Sequence, residues 1–142
     1  IKLNIMEVKK FNKETDYDEL CQWWKDWGVE IHPEEALSNN GLIVSKDGVD
    51  ICSGFVYSTD SYICFLEFAT INRNTTKKQR EGALAQLFTS ALELSKSLGF
   101  KLAMTFGEDK HARTAPTLYK WREENMSDAV SRNISQYWKI LN

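Results

Sequence analysis

The stretch TTKKQREGALAQLFTSALELSKSLGF, Thr75 to Phe100, passes from a basic polar loop straight into an apolar-striped helix. Leu84, Leu87, Phe88, Ala91, Leu94 and Leu98 recur at helical spacing. The pattern predicts a helix from about Gln79 to Leu98, stopped by Gly99. Lys77, Lys78 and Arg80 gather beside Gly82 at its mouth. A helix start leaves amides without partners and carries about half a positive charge. Glycine there lets a phosphate oxygen approach without meeting a Cβ. Such a start suits an anion. The plainer reading is a solvated loop capping an amphipathic helix, and a lone glycine motif does not decide between the two.

Upstream lies YICFLEFATI and downstream FKLAMTF, both strand-like and mostly apolar. Residues 62–106 therefore form a strand–helix–strand unit, expected as a right-handed parallel crossover. In open sheets of this kind ligands favour the carboxyl ends of strands and the amino ends of the helices that follow. Further upstream, Leu3 to Phe11 reads as a strand. DYDELCQWWKDWG reads as a helix capped by Asp16 or Asp18 and stopped at Gly28. Pro33 and EEAL suit a short second helix. GLIVSKDGVDICSGFVYS holds two strands turning at Asp47-Gly48, with another turn at Ser58 to Ser61. ARTAPTLYKWREENM reads as a helix with Pro116 near its beginning, and NISQYWKIL as a last strand. The order β, two helices, three β, α, β, α, β implies one domain over residues 1–142, an α/β (α+β) fold with a mixed sheet of about six or seven strands.

Composition narrows the function. The 142 residues suit a single core, and 42% hydrophobic with 27% charged residues is ordinary for a globular chain. A formal net charge of -2 argues against general nucleic-acid binding, which needs a basic surface. No apolar run approaches the ~20 residues of a membrane span, and IKLNIMEVKKF lacks the pattern of a secretory leader. Cys21, Cys52 and Cys64 are odd in number without metal-type spacing, which suits reduced thiols in a cytoplasmic protein. Two histidines, His32 and His111, cannot build a His-rich zinc site, so no metal is expected.

The helix start Gln79-Arg80-Glu81-Gly82-Ala83-Leu84 resembles the Arg/Gln-x-x-Gly-x-Gly/Ala signature of the GNAT superfamily of N-acetyltransferases. Ala115, Leu118 and Tyr119 match a second pattern, Asn-x-x-Ala-x-x-Leu-Tyr, with Ala112 at the asparagine position. The element order supports the comparison over nearly the whole chain. Three features depart from the family. Leu84 stands where Gly or Ala is usual, the loop after Ile71 is long and lacks proline, and KWREENM replaces a customary Gly-Phe.

The resemblance implies a centrally splayed sheet with helices on both faces, and acetyl-coenzyme A as co-substrate. Lys77, Lys78, Gln79, Arg80, Gly82, Ala83 and Leu84 would hold its phosphates. Phe68, Ala69, Thr70 and Ile71 would carry the pantetheine arm, a strand amide polarising the thioester carbonyl. Tyr119 would protonate the departing thiolate. Glu67 interrupts an apolar strand, where a carboxylate must be hydrogen-bonded, exposed in a cleft or shifted in pKa. By resemblance it would take the proton of the substrate ammonium; an outward-facing glutamate is the plainer alternative. Trp24, Trp27 and Glu30 would line the acceptor site, although most of the Trp23, Trp24 and Trp27 surface is expected in the core.

The expected activity is direct acetyl transfer to a primary amine of a small molecule or peptide, with no membrane or nucleic acid and with a homodimer left open. Two rivals stand beside it. One is an inactive GNAT-shaped binding module, and the other is an interaction protein using the tryptophan-rich helices.

Overall fold

The computed structural model describes residues 6–108, 116–130 and 134–142, without the side chains of 107–108, 116–119, 127–130, 134–136 and 138. Strand β1 (Met6–Lys10) leads to helix α1 (Lys13–Asp26), a 3-10 turn (Glu34–Ala36), β2 (Asn40–Lys46), β3 (Val49–Ser58) and β4 (Ile63–Ile71). Helices α2 (Lys77–Arg80) and α3 (Ala83–Ser97) follow, then β5 (Leu102–Glu108), α4 (Pro116–Asn125), β6 (Ser127–Val130) and β7 (Ile134–Ile140). The sheet has seven strands in the order β1-β2-β3-β4-β5-β7-β6. It is mixed: β4 and β5 are parallel, whereas β1–β2, β5–β7 and β6–β7 are antiparallel. The parallel pair flanks α3, as a crossover requires.

Several element boundaries differ from the sequence reading, each for a local reason. Asn12, not Asp16 or Asp18, caps α1: its Oδ1 accepts from the Glu14 amide at 3.0 Å, while Asp16 Oδ2 accepts from the Asn12 amide at 2.8 Å. Glu34–Ala36 is a single 3-10 turn closed by the Leu37 amide on the Glu34 carbonyl. The long helix is cut in two. Thr76 and Gln79 form a reciprocal capping box that opens α2, and Gly82, at φ +77°, separates it from α3. Strand β6 is an addition, a short bulged partner of β7 with no clear alternation. The Asp47-Gly48 turn has positive φ at both residues, the conformation a two-residue hairpin favours.

The chain forms two compact units, residues 1–55 with 68–91, and residues 56–67 with 92–142. In the first, Val44, Ile51, Cys52, Ala83 and Leu87 make a buried cluster, with Met6, Leu42, Ile71 and Leu84 packed on it. The Phe11 and Phe55 rings meet edge-to-face at 4.9 Å over Gly41, where a Cβ would come within 2.5 Å of the Phe55 ring. In the second, Tyr137 is buried, its hydroxyl bonds Glu123 at 3.0 Å, and the Arg122 guanidinium lies 4.8 Å above its ring. Among the described residues no helix is long and apolar enough to cross a membrane.

Candidate active site

The parallel ladder between β4 and β5 runs through Ile63–Leu102, Cys64–Ala103 and Phe65–Met104. Both strands continue beyond it, β4 to Ile71 and β5 to Glu108. At the next position a side chain replaces the ladder: the buried Thr105 hydroxyl donates to the Leu66 carbonyl at 2.8 Å. Glu67 follows, half-buried, with no hydrogen-bond or ion-pair partner among the described residues. Burial pushes its carboxyl pKa up, because the charged form loses water without gaining a donor.

Phe68 then adopts φ +57°; the one other described non-glycine residue with positive φ is Asp47, in the hairpin turn. A left-handed residue with a bulky side chain costs about 1–2 kcal/mol, so something must hold it. The Thr70 hydroxyl donates to the Phe68 carbonyl at 3.0 Å, and the Trp24 indole donates to Thr70 Oγ1 at 3.2 Å. The Phe68 ring lies 4.8 Å from His32 and 6.1 Å from Trp24. The Tyr17 hydroxyl fixes the His32 carbonyl at 2.6 Å. Nothing in the local sequence announces His32, Tyr17 or their part here, because their partner stands on a distant strand.

Beyond Phe68, the Trp27 indole donates to the Ile71 carbonyl at 2.8 Å, and the Arg73 guanidinium covers the Trp27 ring at 5.0 Å. Arg73 Nη1 also reaches the Asp26 carbonyl at 2.9 Å, so the end of α1 is tied to the loop after β4. Within that loop Thr75 Oγ1 donates to Asn72 O, Gln79 belongs to the capping box, and Arg80 Nη1 donates to Thr75 O. Lys46, almost fully buried, donates to the Lys78 carbonyl at 3.1 Å. A lysine ending an apolar strand gave no sign of that in the sequence. Lys77 and Lys78 are exposed. The Gln86 amide returns to Gly82 O at 3.0 Å, so the amides of Ala83, Leu84 and Ala85 open α3.

The predicted residues are therefore placed as follows. Phe68, Ala69, Thr70, Ile71, Lys77, Lys78, Gln79, Arg80, Gly82, Ala83 and Leu84 all fall in the first unit, along one continuous segment. Leu84 packs on the apolar cluster, its side chain turned into the core. Among the described residues, Met6 Cε alone, at 3.6 Å, lies near the point a Gly82 Cβ would occupy, an ordinary contact. Trp24 is 3% exposed and Trp27 47%, while Glu30 is exposed in the turn after α1. Glu67 belongs to the second unit, as does Tyr119, which lies on α4 with its side chain outside the described residues. Ala112 and Ala115, from the second motif, also lie outside them.

A mixed sheet with a short parallel ladder, a left-handed residue in the strand before the crossover helix, and a glycine opening that helix form a recognisable set. The whole chain superimposes on Ard1 from Thermoplasma volcanium with a TM-score of 0.73 at 12% identity, covering 96% of this chain and 98% of that one. The chain has the GNAT fold. Similar matches are the ribosomal-protein-S18-alanine N-acetyltransferase from Escherichia coli (TM-score 0.74, 10% identity, 97% and 95% of the two chains) and yncA from Salmonella typhimurium with its cofactor acetyl-CoA (0.70, 11%, 98% and 95%). No protein-family model and no curated relative matches the sequence. The likeness is one of fold, and the Escherichia coli match is an N-acetyltransferase.

Proposed function

We propose that this GNAT-fold chain is an acetyl-coenzyme A-dependent N-acetyltransferase acting on a primary amine of a small molecule or peptide. The observation that carries the reading is the left-handed Phe68 on β4, past the end of its ladder with β5. An irregularity of this kind re-aims backbone groups beside active sites. Here it sits upstream of a glycine-opened helix, in a fold shared with acetyltransferases.

The residues fit the co-substrate. The amides at the start of α3, the unobstructed backbone of Gly82 and the exposed Lys77 and Lys78 suit a pyrophosphate. The edge of β4 from Phe68 to Ile71 suits the amides of a pantetheine arm. Acetyl-coenzyme A supplies an activated acyl group, and this chain supplies the proton transfers and the oxyanion donor. Glu67 accepts a proton from the substrate ammonium, a role its raised pKa favours. The freed amine forms the new C–N bond as the C–S bond breaks. The Ala69 amide donates to the carbonyl oxygen as charge develops on it. Tyr119 donates a proton to the leaving sulfur, and no covalent enzyme intermediate is needed.

One observation favours a second reading, a binding module without transfer: Gln79 and Arg80 are both engaged inside their own loop. Coenzyme A and acetyl-coenzyme A separate the readings. Ligand at a hundred times its dissociation constant should stabilise the fold by about 2.7 kcal/mol in thermal melts, and an amine library should yield acetylated products by mass spectrometry. Stabilisation without any product leaves the binding module. No stabilisation at millimolar ligand ends the transferase reading.

A further inference from the structure

We propose that Trp24 and Thr70 are positioning residues for acyl transfer, holding Phe68 left-handed so that the following amide, that of Ala69, meets the thioester oxygen. This rests on the transferase reading above. Phenylalanine does not choose positive φ, and its neighbours in the sequence give it no reason to. Two sealed side chains converge on it instead, Trp24 at 3% and Thr70 at 8% exposure.

The chemistry of the two groups makes the chain directional. An indole N–H can only donate, so Thr70 Oγ1 must accept from Trp24. The hydroxyl's single hydrogen is then left for the Phe68 carbonyl, 3.0 Å away. The Trp24–Thr70 bond is buried, where a hydrogen bond is strengthened by the low local dielectric. The His32 and Trp24 rings pack on the Phe68 side chain, so backbone and side chain are both restrained. A strained residue over-determined by its surroundings is characteristic of functional sites, whereas an ordinary strand interior requires nothing of the kind. Trp24, on this argument, acts on the reaction from the core and not from the acceptor wall.

The test is a cycle of substitutions read in steady-state kinetics. Thr70→Val replaces the hydroxyl with a methyl of similar shape, and Trp24→Phe removes the indole N–H together with one ring. Each should lower kcat about tenfold while leaving the KM for acetyl-coenzyme A within about twofold, since the displaced donor acts in the transition state. Thr70→Ser keeps the hydroxyl and should retain activity. In the Phe68→Gly background, where positive φ carries no steric cost, the Thr70→Val loss should shrink to less than about twofold. A loss of the same size in both backgrounds, or one confined to KM, overturns the proposal.

If the unsubstituted chain neither binds coenzyme A nor transfers acetyl, the functional reading is what fails. The positioning claim is then decided by the backbone chemical shifts of Phe68 and Ala69. Thr70→Val should move them and Thr70→Ser should not; shifts unchanged by Thr70→Val refute it.

Discussion

From Ile63 to Phe65, strand β4 is laddered to β5; from Phe68 to Ile71 that ladder has ended, and the side chains of Trp24, on α1, and Trp27, at its C-cap, bond to the strand. The first arrangement uses groups that every residue carries, so most substitutions leave it intact. The second uses one indole for Thr70 and another for the Ile71 carbonyl, and each can be deleted by a single change. Under the transferase reading proposed above, the position of the Ala69 amide depends on the second arrangement. The ladder gives the strand its place, and the side chains give its irregular part a shape.

The largest effect is expected further along the chain, at the mouth of α3. Gly82 stands at φ +77°, and a Cβ there would meet only an ordinary contact with Met6, so conformation and not crowding makes it glycine. Gly82→Val should destabilise the fold by about 2 kcal/mol, the cost of a branched side chain at positive φ. It should also weaken coenzyme A binding more than about tenfold, because the new Cβ stands where a phosphate oxygen would approach. Chemical denaturation and calorimetric titration measure the two effects. An unchanged affinity would mean that the phosphates do not lie over this residue.

These two kinds of restraint were unequally legible in the sequence. Asp47-Gly48 announced its hairpin because both residues tolerate the φ the turn needs. The apolar stripe and Gly99, at φ +91°, announced the body and end of α3. The break before α3 was hidden, since Gly82 sits between residues that continue a helical pattern. The Thr76-x-x-Gln79 box was the overlooked sign that a helix starts at Thr76. Phe68 gave no sign at all. Its conformation depends on Thr70 two residues later and on Trp24, which meets Thr70 across 46 positions. The helix start of the candidate site was thus readable from helix chemistry and its strand part from the family resemblance alone, and neither as a geometry.

A smaller effect is expected where the ladder gives out. Thr105→Val removes the donor to the Leu66 carbonyl and leaves a buried acceptor unpaired, at a cost of about 1 kcal/mol. Valine otherwise matches threonine in shape and suits a strand. Turnover should stay within about twofold, since this bond supports the end of the ladder and not the left-handed Phe68. A large loss of turnover with little loss of stability would show the two halves of β4 to be coupled through Leu66, and would blur the distinction drawn above.

Glu67 stands between the two halves and yields the smallest predicted effect, read through its pH dependence. Burial raises its pKa in the folded state, so the folded chain keeps this proton to higher pH than the unfolded chain does. Above the ordinary glutamate value of about 4.3 the folded state binds more protons, and stability falls as pH rises until the folded carboxyl has also ionised. At neutral pH the residue therefore carries a net cost. Glu67→Gln should raise Tm by about 1–2 °C at pH 7, and the gain should vanish below the unfolded pKa, where the wild-type carboxyl is neutral in both states. A Tm lowered at pH 7 would mean that the carboxylate gains a stabilising partner that outweighs its loss of water. The strand would then be held at its midpoint by charge as well as by ladder and side chain.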